Sequence, residues 1–137
     1  MCIYVTNSTK VKETKKRIIA YKVFVKDDDG IISPWQNHKP NPIGEINFKQ
    51  SVKKFKEQFN LLRDDNTSGC GFHLYTKISD ALRCVHIRNG YTDTKKYIAY
   101  ECEIPKWSAI VTGTEENGKT CYMTSRYIIN HQINIKN

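Results

Sequence analysis

Residues 71–85 have the sequence GFHLYTKISDALRCV, in which a short strand pattern passes directly into a helix pattern. Residues 71–75 place aromatic and apolar side chains after a glycine, which is typical of a short β-strand. The apolar residues that follow recur at spacings typical of one helix face: Ile78, Ala81, Leu82 and Val85. Thr76 is a candidate N-terminal cap for this helix, and Gly90 is its expected stop. The stretch predicts a strand followed by an amphipathic helix.

The flanking sequence predicts more strands and a second helix. Residues 18–25 are rich in β-branched and aromatic side chains, and an acidic turn at 27–30 leads into a return strand at residues 31–32. Further strands are predicted at residues 97–104, 108–112, 120–123 and 127–135. The second helix is predicted from Phe48 onward, because Val52, Phe55, Phe59 and Leu62 recur at helical spacing. Strands and helices do not alternate regularly, so we expect one α+β domain over residues 1–137, with a twisted, mainly antiparallel sheet and about two helices.

The chain of 137 residues is basic, with a formal net charge of +8. Positive charge concentrates in residues 1–17, which we interpret as a loop or an N-terminal arm, and again between Lys49 and Lys56. A basic surface attracts polyanions of any sequence, so nucleic acid is a candidate partner, and a solvated lysine-rich face is the alternative. No segment approaches the ~20 apolar residues that span a bilayer, and no secretory signal is evident. We expect no membrane contact and a cytoplasmic location.

No standard motif for phosphate or metal binding is present. The seven glycines form neither a Walker loop nor a dinucleotide fingerprint, and cysteine and histidine do not form two paired ligand clusters. We therefore expect no cofactor and no metal. Cys2 is a candidate nucleophile, because removal of Met1 would leave a thiol and a free α-amine in one residue. In this alternative the protein is an N-terminal cysteine hydrolase or transferase with His73 as the base. Packing in the fold is the competing explanation for both residues.

Aromatic and arginine residues suggest a second kind of site. Tyr21 and Tyr75 could line a pocket that stacks a base, and Arg83 and Arg126 could face phosphates. Core packing explains the aromatic residues equally well. No RNA-binding consensus or zinc-finger pattern selects nucleic acid as the specific ligand.

Several motifs in order resemble an uncharacterised family of small proteins from gut bacteria and their phages. They are Met1-Cys2, Ala20-Tyr21-Lys22-Val23, Ser33-Pro34-Trp35, Gly71-Phe72-His73 and Glu103-Ile104-Pro105-Lys106. The resemblance covers most of the chain, and it implies a phage or mobile-element origin without an established reaction. For a phage-encoded protein the expected location is the host-cell cytoplasm.

A more remote similarity is to the ADP-ribosyltransferase fold. Residues 71–84, 98–104 and 125–129 resemble its three characteristic pieces. The strand histidine of that fold falls near Tyr21 or Lys22, its stacking tyrosine near Arg83, and its catalytic glutamate on Arg126. An arginine at that last position would repel the positive charge that develops on the sugar, so the similarity implies a fold without transferase activity.

We therefore expect a non-catalytic accessory protein of phage or mobile-element type. Its expected partner is a nucleotide-like ligand or a host macromolecule, bound through a basic, aromatic surface. The alternatives are the Cys2 enzyme and a virion or other structural component, and the sequence leaves the oligomeric state open.

Overall fold

A ten-stranded sheet and two helices make up the described part of the chain, which in this computed structural model comprises residues 3–5, 9–27, 30–33, 41–62, 71–91, 95–115 and 118–133. The strands are β1 (Ile3–Tyr4), β2 (Lys12–Glu13), β3 (Ile18–Asp27), β4 (Gly30–Ile32), β5 (Ile46–Phe48), β6 (Phe72–Tyr75), β7 (Lys96–Ile104), β8 (Ala109–Glu115), β9 (Thr120–Thr124) and β10 (Arg126–Gln132). Helix α1 (Val52–Leu62) lies between β5 and β6, and α2 (Ile78–Tyr91) lies between β6 and β7.

The sheet follows the order β1-β8-β9-β6-β3-β7-β10-β5, with β2 beside β8 and β4 beside β3. Among the described residues every strand pair is antiparallel. The pairing of β3 with β7 is continuous from Ile18 to Lys26. In contrast, β3 meets β6 at one position only, Tyr21 opposite Tyr75. The predicted α+β class and the mainly antiparallel sheet are confirmed, and the sheet is split between β3 and β6.

A one-residue connection shows that the sheet folds back on itself. Ser125 alone separates β9 from β10, although β6, β3 and β7 lie between these strands in the sheet order. The backbone N–H of Ser125 donates to the carbonyl of Ala109, and Lys49 N–H donates to the carbonyl of Ser125. These bonds hold the start of β8, the end of β9 and the segment after β5 together. The two halves of the sheet therefore enclose one core and leave their outer side for the helices.

Two buried clusters fill the two sides of this sheet. The inner cluster contains Ala20, Phe24, Leu74, Tyr100, Cys102, Ile104, Tyr127 and Ile129. The cluster on the helix side contains Val23, Phe55, Phe59, Tyr75, Ala81, Val85, Ala99 and Met123. Phe55 and Phe59 are one helical turn apart and fully buried, and burial of each side chain stabilises the fold by about 1.5–3 kcal/mol. Consecutive residues of β7, from Ile98 to Tyr100, are buried because the inner cluster covers one face of the sheet and the helix-side cluster covers the other.

The predicted elements are present with shifted boundaries. Helix α1 begins at Val52, because Phe48 belongs to β5. In the first turn of α2 the N–H groups of Asp80 and Ala81 donate to the carbonyl of Lys77, while the hydroxyl of Thr76 donates to the carbonyl of Thr120. Thr76 therefore bonds to β9 just beyond the end of β6 and is not the helix cap. The basic segment 1–17, expected as a loop or arm, contributes β1 and β2 to the outer edge of β8.

Candidate functional site

The two tyrosines predicted to line a ligand pocket lie side by side. Tyr21 is half-buried and stands opposite Tyr75 in the register of β3 and β6. Tyr75 is buried, and its hydroxyl donates to a carboxylate oxygen of Glu115 at 3.2 Å. The ammonium of Lys119 lies 5.6 Å from the ring centroid. Burial raises the pKa of Tyr75 well above its usual value, with Cys84 and Glu115 adding to the effect. Tyr75 is thus a packed core residue with a hydrogen-bonded hydroxyl.

The two predicted arginines have different surroundings. Arg83 is exposed on α2. Arg126, at the start of β10, donates from Nη2 to the carbonyl of Lys106 at 2.6 Å and from Nε to Oγ of Ser108 at 3.1 Å. Ser108 precedes β8 and the Tyr75 partner Glu115 ends it, so the length of a seven-residue strand, roughly 20 Å, separates Arg126 from the Tyr75 hydroxyl. These two residues do not line one pocket.

The two residues of the cysteine-enzyme alternative are not seen together. Cys2 lies outside the described residues. His73 is buried on β6, where it has the same strand parity as Tyr75 of the helix-side cluster and stands opposite Met123. Burial raises the pKa values of the Cys102 and Cys121 thiols to about 12. These two thiols therefore remain protonated at neutral pH and are not activated nucleophiles.

The connection from β7 to β8 forms a tightly bonded turn around Thr14. The Thr14 hydroxyl donates to the carbonyl of Pro105 at 2.7 Å and accepts from the backbone N–H of Ser108 at 2.9 Å. The backbone of Thr14 accepts from the N–H of Trp107 at 2.8 Å and donates to the carbonyl of Ser108 at 2.8 Å. Arg126 bonds to the same turn at Lys106 and Ser108. Thr14 and Ser108 are buried, so these hydrogen bonds attach the turn to the protein interior.

Trp107 lies at the tip of this turn in a left-handed backbone conformation. Its φ is 70°, and within the described ranges no other non-glycine residue has a positive φ. This conformation costs a side-chain-bearing residue about 1–2 kcal/mol. The indole is 50% exposed, and the ammonium groups of Lys15 and Lys106 lie 5.0 and 5.1 Å from its ring centroid. We call Trp107, Lys15 and Lys106 the indole–lysine patch.

A second unusual group lies at the split between β3 and β6. Lys22 is 4% exposed, and its ammonium donates to the carbonyl of His73 at 2.8 Å. That carbonyl lies on the part of β6 that β3 no longer pairs with. The Lys22 ammonium is also 5.8 Å from the ring centroid of Tyr127. Within the described ranges no salt bridge joins Lys22 to a carboxylate, and the buried hydroxyl of Tyr127 has no hydrogen-bond partner.

Burial dominates the electrostatics of Lys22. It lowers the pKa of Lys22 from 10.5 to about 8, Cys102 opposes the shift, and the nearby Lys49 adds to it. The Lys49 ammonium bonds to the carbonyl of Gly71 at 3.3 Å. Lys22 and Lys49 thus bind the carbonyl groups of His73 and Gly71. These two carbonyls are two residues apart, where the pairing of β3 with β6 has stopped. Lys22 closes a gap in the backbone hydrogen bonding, and the exposed indole–lysine patch is the better candidate for ligand contact.

The sequence alone predicted neither the indole–lysine patch nor the buried Lys22, although it contains a signal for each. Lys106 ends one of the quoted family motifs, and Pro105 marks the end of the predicted strand. Neither signal predicts a left-handed tryptophan in the following turn. Lys22 has the same strand parity as Ala20 and Phe24, which are buried, so a lysine at this position is a detectable exception to the pattern.

Comparison with known proteins adds no relative. A scan against protein-family models, a search of curated proteins and a search of solved structures each found no match to this chain. In the described part of the chain, no group of three or more His, Cys, Asp or Glu side chains is placed to hold a metal ion. Neither described helix is long and apolar enough to cross a membrane.

Proposed function

We propose that this protein binds an anionic, nucleotide-like ligand at the indole–lysine patch and does not convert it chemically. The observation that carries the proposal is the exposed indole of Trp107, held at φ 70° by a hydrogen-bonded turn and flanked by two ammonium groups. A strained residue that the surrounding structure fixes in place is a reason to look for function. Such a role suits an accessory protein of phage or mobile-element type.

The chemistry of the patch matches the two halves of a nucleotide. A flat indole face stacks on a base, a contact worth about 1–3 kcal/mol, and lysine ammonium groups neutralise phosphates. The cation–π contacts that Lys15 and Lys106 make with the ring are each worth only about 0.5–1 kcal/mol at an exposed site. A base can therefore displace a lysine from the ring, and the freed ammonium can then pair with a phosphate.

Arg126 has a positioning role in this proposal. Its guanidinium bonds to the carbonyl of Lys106 and to the hydroxyl of Ser108, on either side of Trp107. It thereby fixes the turn that presents the ring and adds positive charge to that turn. The proposed binding needs neither a nucleophile nor a general acid, which agrees with the protonated state of the buried thiols of Cys102 and Cys121.

Fluorescence of Trp107 tests the proposal directly. The chain has two tryptophans, Trp35 and Trp107, so a Trp35→Phe variant reports on Trp107 alone. Titration with ADP and with ADP-ribose is expected to quench its emission saturably. Replacing Lys15 and Lys106 together with alanine is expected to weaken binding at least fivefold.

A matched control distinguishes the patch from overall charge. Lys53 and Lys56 are exposed on α1, and their double alanine variant removes the same charge elsewhere. This control is expected to bind like the parent protein. Unchanged Trp107 emission with either nucleotide would refute the proposed site.

A further inference from the structure

We infer that the ligand of the indole–lysine patch is a segment of single-stranded nucleic acid, whose phosphates follow residues 10–17. The inference rests on the proposed function and extends it from a nucleotide to a strand. It is carried by the position of the basic segment, which the structure fixes beside Trp107.

The segment brings a row of cations to the patch. Five of its eight residues are basic and exposed: Lys10, Lys12, Lys15, Lys16 and Arg17. Eight fully extended residues would span roughly 25 Å; the bend at Lys15 and Lys16 makes this row shorter, but it is still long enough to face more than one phosphate of a strand. A single nucleotide can contact only a small part of it.

The fold holds this row in place. Strand β2 pairs with the outer edge of β8, at Ile110 and Ala109. Thr14 then bonds to the turn that carries Trp107. The lysines on either side of Thr14 are therefore fixed to the same rigid element as the indole. When a base of the ligand stacks on the ring, the neighbouring phosphates can therefore lie along the basic residues of segment 10–17.

The acidic residues near the segment reduce its positive potential only slightly. Lys15 is 4.0 Å from a carboxylate oxygen of Glu13, and Arg17 is 3.8 Å from one of Glu103. The basic side chains of both pairs are largely exposed, and exposed ion pairs are weak and easily exchanged for a phosphate contact. The net charge of the segment therefore stays positive.

The exposed indole favours a single strand over a duplex. Bases in a duplex are already stacked and paired, so their faces cannot reach a protruding ring, whereas bases of a single strand are free to stack on it. Stacking and phosphate contacts apply to DNA and RNA alike, so the test includes both.

The experiment compares ligands of increasing length on the full chain carrying Trp35→Phe. Fluorescein-labelled 12-mers of single-stranded DNA and RNA, the matching duplex, ADP-ribose and phosphatidylserine vesicles are titrated, with Trp107 emission as the readout for all and anisotropy for the labelled strands. A single-stranded 12-mer is expected to quench Trp107 and to bind at least tenfold more tightly than ADP-ribose and the duplex. With three phosphate contacts, log K is expected to fall with log salt at a slope of about −2.

Two variants separate stacking from charge. Trp107→Ala is expected to weaken binding of the single strand about five- to 100-fold with little change in salt slope. Lys12→Glu/Lys16→Glu is expected to weaken binding and to make the slope shallower by about 1 or more. Lys53→Glu/Lys56→Glu on α1 is the control of equal charge, and it is expected to retain the parent slope. Circular dichroism verifies the fold, and Lys12→Gln/Lys16→Gln replaces any glutamate variant that fails to fold.

The outcomes distinguish the two proposals. If ADP-ribose quenches Trp107 but the strands bind no more tightly, the nucleic-acid inference is overturned and the proposed function stands. If no probe affects Trp107, both are overturned. Tighter binding of the duplex, equal effects of the two double-glutamate variants, or Trp107-dependent binding of phosphatidylserine vesicles without binding of strands would each overturn the inference.

Discussion

Replacement of Lys22 by methionine is expected to change how the stability of the protein depends on pH. In the folded state, burial lowers the pKa of Lys22 from 10.5 to about 8. In the unfolded chain the amine keeps a pKa near 10.4. Between these two values the unfolded chain holds the proton and the folded chain does not, so the Lys22 contribution to stability rises with pH. The cost of burying the ammonium is fully present below pH 8 and is gone above about pH 10.5.

The expected size of the effect follows from this window. Lowering the pKa of Lys22 by about 2.5 corresponds to a cost of about 3 kcal/mol in the free energy of folding. Lys22→Met removes this pH-dependent cost, but it also leaves the carbonyl of His73 without its lysine donor, which costs about 1–3 kcal/mol at every pH. At pH 7 the two effects oppose each other, and the variant and the wild type are expected to agree within about 2 kcal/mol. Above pH 10.5 the variant is expected to be less stable by about 1–3 kcal/mol.

Urea unfolding measured by circular dichroism between pH 7 and 11, under reducing conditions, gives the free energies of unfolding of both proteins. Lys26→Met is the matched control, because Lys26 is exposed on the same strand. The comparison is repeated in a Cys102→Ala background, since Cys102 and Lys22 influence each other's pKa. A constant difference between Lys22→Met and wild type across this range would show that Lys22 titrates normally, and the account of a buried, unpaired ammonium would be wrong.

Two further predictions concern the packing near the split. Gly71→Ala is expected to destabilise the protein by about 3 kcal/mol, because φ is +68° and a Cβ would lie 2.5 Å from Phe55 Cε2 and from the carbonyl oxygen of Thr124. Gly118→Ala, at φ +87° with no atom within 4 Å of the added Cβ, is expected to cost only about 1 kcal/mol in the same urea measurement, and equal losses would contradict the clash. Cys102 and Cys121, whose pKa values burial raises to about 12, are expected to resist iodoacetamide at pH 8 until the protein unfolds, as mass spectrometry would show. Rapid labelling of either thiol in the native protein would contradict their burial.

The sequence predicted the elements that carry their own periodicity. Helix α2 and strand β6 follow from residues 71–85, and β3 with β4 follows from the apolar runs on either side of an acidic turn. Strands β1, β2 and β5 have two or three residues each, too few for a pattern of alternation. They form because they can pair with the edge of a longer strand, β8 for β1 and β2, and β10 for β5. The folding back of the sheet at Ser125 likewise depends on long-range contacts that no local pattern encodes.

The candidate site was harder to predict for a related reason. Arg126 was expected to face a phosphate, and the structure instead joins its guanidinium to the turn at Lys106 and Ser108. An arginine's charge is visible in the sequence, but the backbone carbonyl that binds it is not. Trp107 was not singled out at all, since a bulky residue at positive φ runs against every local preference. Such exceptions arise where tertiary hydrogen bonds over-determine the backbone, as Thr14 does here.

The burial of the Lys22 ammonium and the left-handed backbone of Trp107 each lower the stability of the fold, but the structure explains only the position of Lys22. Lys22 donates to a buried carbonyl at the point where β3 and β6 separate, so its burial satisfies a backbone group that would otherwise be orphaned. Trp107 donates its backbone N–H to Thr14, its ring makes only exposed cation–π contacts with Lys15 and Lys106, and the residue is half exposed. Glycine at this position would make the same hydrogen bond without the left-handed penalty of about 1–2 kcal/mol. The fold therefore gives little reason for an indole there, whereas the proposed stacking of a base on the ring would supply one.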